Sequence, residues 1–86
     1  MVLENYIGPH GFYFLCIKIT EENINKISDW CFGVIITSPS LCIKFWGFGD
    51  DEEPSGRAFI GDWIVQGPDD YFESFDDEQF TKNYSK

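Results

Sequence analysis

Apolar positions along the chain fall into five short runs and two helical stripes, separated by turn residues. "GPHG" (residues 8–11) reads as a turn. The run after it, "FYFLCIKI" (12–19), is apolar at odd and even positions alike and rich in aromatic and β-branched residues. That pattern predicts a central strand covered on both faces. In "TEENINKISDWC" (20–31) the period changes. Ile24, Ile27 and Cys31 recur at helical spacing, Thr20 is placed to cap the first turn, and Glu21 and Glu22 lie where carboxylates favour the helix dipole. Ile19 and Ile24 bracket the cap as a staple, and Gly33 is the natural stop.

Beyond Gly33 the pattern is that of strands. "VIIT" (34–37) and "LCIKFWGF" (41–48) flank the turn "SPS" as a hairpin. "GDDEEPSG" (49–56) reads as an exposed loop. "RAFIGDWIVQ" (57–66) predicts one strand with a bulge at Gly61, and "YFESF" (71–75) pairs back on it after the turn "GPDD". Asp76 and Gln79 then form a capping-box signature, with Phe75 and Phe80 as its staple and Tyr84 one turn further on. The order strand, helix, four strands, helix predicts one α+β domain over residues 1–86. It would be a small, mainly antiparallel β-sheet with one packed helix and a short C-terminal helix. Phe14, Ile17, Ile24, Ile27, Ile43 and Val65 are assigned to its core, together with Leu15, Val34, Ile36, Phe59 and Trp63. "YFESF" carries aromatics on both faces, and nothing else in the sequence is an evident cover for Phe72. A homodimer with Phe72 at or near its interface is therefore expected.

Charge changes the picture more than composition does. The net charge is −9, and eleven of the fifteen acids lie between Asp50 and Glu78 with Arg57 as the single base among them. A phosphate-binding surface needs clustered Lys and Arg, so direct nucleic-acid binding is not expected. The acids concentrate at Asp50, Asp51, Glu52 and Glu53, at Asp69 and Asp70, and at Asp76, Asp77 and Glu78. These nine form the candidate partner-binding set, addressed to a basic protein surface. Carboxylates spaced like phosphates would imitate nucleic acid there. A solvated, solubilising surface is the alternative reading of the same residues.

Other chemistries fit poorly. Consecutive acids do not supply the alternating oxygen ligands of a calcium loop. One histidine and no Cys-x-x-Cys pair make no zinc site. Neither a nucleophilic triad nor a phosphate loop can be assembled. No cofactor, no metal and no enzymatic activity are expected. Cys16, Cys31 and Cys42 sit in apolar contexts and read as buried free thiols of a reducing cytosol. No membrane-spanning run or leader is apparent, so a cytoplasmic location is expected. Aromatics make up 19 % of the chain. Trp46, Phe48, Tyr71 and Phe72, with Arg57, form a second candidate set, for self-association or for stacking on a nucleotide-like signal molecule between subunits.

The C-terminal stretch "GDWIVQGPDDYFESFDDEQFTKNY" resembles the end of a group of small bacteriophage proteins. Their tails run Gly-Asp-Trp/Tyr-Ile-Ile/Val-Lys-Gly, a turn, an aromatic-bearing strand, then Phe-x-x-x-Tyr. Gly61, Asp62, Trp63, Ile64, Val65, Gly67, Phe72, Phe80 and Tyr84 carry the match. The strand-to-helix passage "IKITEENINKISDWC" fits the same layout. Gln66 stands where the group has Lys, and "GPDDYFES" and "DDE" replace its turn and its Lys-Pro-Asp. These departures remove base or add acid. The resemblance implies phage origin and expression in a host cytoplasm, and it supplies no catalytic residue. It supplies no established activity either; the acidic surface, taken with phage origin, suggests an inhibitor of a host defence or nucleic-acid-processing protein. A nucleotide-binding oligomer and a phage structural or assembly protein remain as alternatives.

Overall fold

The computed structural model describes residues 1–47, 49–67 and 70–86. Among the described residues, seven strands form two antiparallel sheets, with two α-helices and a short 3-10 turn at Pro9–Gly11. The strands are β1 Glu4–Ile7, β2 Tyr13–Lys18, β3 Val34–Ile36, β4 Cys42–Phe45, β5 Gly56–Phe59, β6 Trp63–Gln66 and β7 Phe72–Phe75. The helices are α1 Ile24–Trp30, between β2 and β3, and α2 Asp77–Asn83, after β7. One sheet has the order β1-β2-β6-β7 and the other β3-β4-β5. The α+β class is as the sequence predicts, but two features differ. β1 is an edge strand with only Tyr6 half-buried, so its sequence carries no alternation to announce it. The expected strand over 57–66 is two strands in different sheets. The break falls at Gly61, whose φ of +93° suits glycine. Asp62 Oδ2 accepts the Phe59 amide at 2.9 Å there, and the turn is tied to Ile19 by backbone bonds of 2.8 and 2.9 Å.

The four-stranded sheet is buried on both faces, as the pattern of residues 12–19 requires. Ile17, Ile64 and Phe72 face α1 and the second sheet, in a cluster with Ile24, Ile27, Ile43 and Phe45. Phe14, Cys16 and Val65 face the other way, toward Phe80 and Tyr84, with Tyr6, Trp63 and Phe75 alongside. α2 thus covers one face with an aromatic stack. Trp63 lies flat on Phe80 at 3.8 Å, and Phe80 on Tyr84 at 5.0 Å. Its start is the expected capping box, with Asp76 Oδ1 accepting from Gln79 N at 2.8 Å. Such a cap contributes about 1 kcal/mol.

At the start of α1, Thr20 and Asn23 bond each other's backbone amides reciprocally, so Thr20 caps the turn that leads into the helix. The helix ends in a Schellman arrangement, Gly33 N to Ser28 O and Phe32 N to Asp29 O. The left-handed residue is Phe32, with φ of +56°, and not Gly33. Gly33 is needed for a different reason. A Cβ there would come within 2.6 Å of Ile43 Cγ2 and 3.0 Å of Lys44 O. The close approach to β4 takes the glycine, and the αL position falls to an exposed phenylalanine.

Two core assignments are overturned. Val34 and Phe59 are exposed, because they lie on the face of the three-stranded sheet opposite to Ile43 and Ala58, away from the core cluster. Phe72 is also corrected. It is 5 % exposed and packs edge-on against Trp30 of α1, with ring centroids 5.1 Å apart. It therefore offers no uncovered side chain to a second copy. All three cysteines are free and buried, as expected. Burial pushes the Cys16 thiol up to about 12 and the Cys31 thiol up to about 11. Among the described residues, no helix is long and apolar enough to cross a membrane.

Candidate functional site

The nine candidate carboxylates divide into structural and free groups. Asp50 is half-buried and holds its loop closed. Its carboxylate accepts from Gly47 N at 2.8 Å, Ser55 N at 2.9 Å and Ser55 Oγ at 2.7 Å. The Ser55 and Gly47 amides, with the Ser55 hydroxyl, hold its pKa below the usual carboxylate range. Asp76 is occupied by the helix cap. Asp77 accepts from the Trp63 indole at 2.9 Å and pairs with Lys18 at 3.3 Å, which lowers its pKa, the indole bond contributing most. Glu78 pairs with Lys82 one turn later at 3.1 Å.

Asp51, Glu52 and Glu53 are exposed and make no ion pair with any described residue. Asp70 is exposed too, and among the described residues it meets a neutral donor, Gln66 Nε2 at 3.3 Å. Asp69 lies outside the described residues. The loop carrying Asp51, Glu52 and Glu53 is anchored beside the end of β7 that Asp70 precedes. Gly47, whose amide anchors the Asp50 loop, bridges to Phe72, and Asp70 precedes Phe72 by two residues. Asp76, Asp77 and Glu78 follow Phe75 at the opposite end of the strand. An open groove of about 380 Å³ borders the loop, between Phe45, Ser55 and Ser74. Ser74 Oγ donates to Arg57 O at 2.9 Å there and ties β7 to β5.

The second candidate set does not converge. Arg57 is exposed on the outer face of the three-stranded sheet, directly across from Lys44. Tyr71 lies on the α2 side of the other sheet, Phe72 is in the core, and Trp46 is exposed at the end of β4. Phe48 lies outside the described residues. A base-stacking platform using all of them is not formed within one chain.

Sequence reasoning missed a second cleft. A cleft of about 470 Å³ opens between the turn at residues 9–12, β2, β7 and the end of α2. Phe12, Phe14, Tyr71 and Tyr84 line it with Glu73, and His10 borders it. Its residues come from three distant stretches of chain, so no local motif marks it. The one local sign is "GPHG", which holds His10 at φ of +62°. Left-handed backbone at a non-glycine residue is a reason to inspect a site. Burial, and next the Glu73 charge, push the Tyr84 hydroxyl up to about 12, so it stays a neutral phenol. Among the described residues, no group of His, Cys, Asp and Glu is arranged to hold a metal ion. Comparison with protein-family models, with curated proteins and with solved structures returns no match.

Proposed function

We propose that this chain is a phage-encoded binding protein that inhibits a basic host defence or nucleic-acid-processing protein stoichiometrically, without turnover. The observation that carries this reading is the group Asp51, Glu52, Glu53 and Asp70. These carboxylates are exposed, lack ion-pair partners among the described residues and lie on the loop anchored beside one end of β7 or just before that end. They sit on a chain of net charge −9. Carboxylates held on a folded scaffold offer a cationic groove what phosphates offer it, at little ordering cost. The resemblance of the C-terminal stretch to small phage proteins is the ground for placing the partner in an infected host.

The test uses the variant Asp51→Ser/Glu52→Ser/Glu53→Ser/Asp70→Ser. Asp50 is left in place because its removal would open the loop. Proteins captured from host extract are compared between wild type and variant at low and high salt, with duplex DNA as competitor. A partner held through its nucleic-acid groove is released by salt, displaced by DNA and missed by the variant. A partner kept at high salt, or captured equally by the variant, would refute the proposal.

A further inference from the structure

The aromatic cleft has a chemistry separate from the acidic end of β7. Four rings, those of Phe12, Phe14, Tyr71 and Tyr84, surround a single carboxylate, Glu73. Glu73 is half-buried and forms no ion pair with any described residue. Glu73 and the ring walls line the same cleft. Ring faces carry negative quadrupole potential and attract cations. An anion would meet Glu73 in a chain that is already strongly negative. A purely apolar occupant would bury the carboxylate without a partner. A cation satisfies both the rings and the carboxylate.

Phe14 and Tyr84 meet at 88° with centroids 5.3 Å apart. Both rings are buried and form the floor of the cleft, while Phe12 stays exposed at its rim. A single carboxylate beside aromatic surface suits the compact point charge of an ammonium group, whereas a planar guanidinium is better served by paired acceptors in one plane. The floor is pre-formed. A Cβ at Gly8 would come within 2.5 Å of the Tyr84 ring and 2.7 Å of the Phe14 ring, so the 8–12 turn rests directly on the floor of the cleft. Two backbone bonds between Ile7 and Ser85 fix the chain just beyond Tyr84. A site built in advance loses less on binding.

We infer that this cleft is an anchoring pocket for the alkylammonium head of a lysine side chain presented by a protein partner. The identity of that protein rests on the proposed function, while the pocket itself can be tested with a small probe. N-acetyl-lysine methylamide is titrated into isotope-labelled protein at pH 8 and followed by NMR, with N-acetyl-norleucine methylamide as the uncharged comparison. The lysine probe is expected to shift signals of Phe12, Phe14, Tyr71 and Tyr84, with a dissociation constant of about 1–10 mM, as befits one small anchor. Norleucine should bind at least about fivefold more weakly. Glu73→Gln, which keeps the shape and removes the charge, should weaken the lysine probe about fivefold or more. Phe12→Ala removes a ring that is 55 % exposed, at little risk to folding, and should weaken it as well. The variant lacking Asp51, Glu52, Glu53 and Asp70 should bind the probe as wild type does, so the pocket and the acidic end fail separately. Equal binding of both probes, undiminished binding by folded Glu73→Gln, or no shift at these residues would overturn the inference.

Discussion

Truncation of Phe72 to alanine is expected to unfold the domain far more readily and to leave its association state unchanged. Phe72 is 5 % exposed, belongs to the cluster that joins both sheets to α1, and meets Trp30 at 84° with centroids 5.1 Å apart. Removing a buried phenylalanine side chain costs about 3–5 kcal/mol, including the cavity left behind. Of that, about 0.5–1.5 kcal/mol belongs to the edge-on ring pair. Domains have about 5–15 kcal/mol in total, and small ones lie toward the lower end. At about 4–8 °C per kcal/mol for a domain of this size, Tm should fall by at least about 12 °C. Urea titration followed by tryptophan fluorescence gives the free energy, since the midpoint moves in proportion to it. Phe72→Leu is the companion variant and should cost less than about 1.5 kcal/mol, because it leaves most of the volume filled. Sedimentation of wild type and Phe72→Ala, under conditions where both are folded, should give the same species. A loss below about 1 kcal/mol, the size of an ordinary surface or boundary change, would refute the placement of Phe72 in the core. A change of association state with little change in stability would do the same, and would restore Phe72 to an interface.

Two further outcomes follow from local geometry. Phe32→Gly should raise stability by about 1 kcal/mol in urea titration, because Phe32 is 79 % exposed and holds the left-handed position that glycine adopts without strain; a destabilised variant would show that the Phe32 ring has a packing role. Stability should fall as the solution is acidified below the ordinary Asp range: the folded-state pKa values of Asp50 and Asp77 are lowered, so their contribution is present above the unfolded value and lost as pH drops through the folded one. The double variant Asp50→Asn/Asp77→Asn should flatten that part of the pH profile in thermal melts, and an unchanged profile would count against both hydrogen-bond networks.

Local chemistry was legible in the sequence wherever neighbours in the chain decide the outcome. The α2 capping box needs only Asp76 and Gln79. A break in regular pairing at Gly61 needs only a few adjacent residues, and the double-sided apolar run at 12–19 announced a strand buried on both faces. The free thiols followed from their apolar neighbours. Tertiary structure decided what depends on partners distant in the chain. The residues from 57 to 66 look like one strand, yet the turn is strapped to Ile19, and that contact sends β5 and β6 into different sheets. Phe72 looked uncovered because its cover, Trp30, lies over forty residues earlier on a helix whose docking the pattern does not specify. Val34 and Phe59 looked buried because strand patterning does not say which face of a sheet is turned to the core. The acids were visible as a run. Hydrogen bonding within the fold separated Asp50 and Asp77, which hold the structure, from Asp51, Glu52 and Glu53, which remain available. The aromatic cleft was invisible for the same reason: Phe12, Glu73 and Tyr84 become neighbours only when β2 and β7 join one sheet through β6 and the end of α2 packs on it.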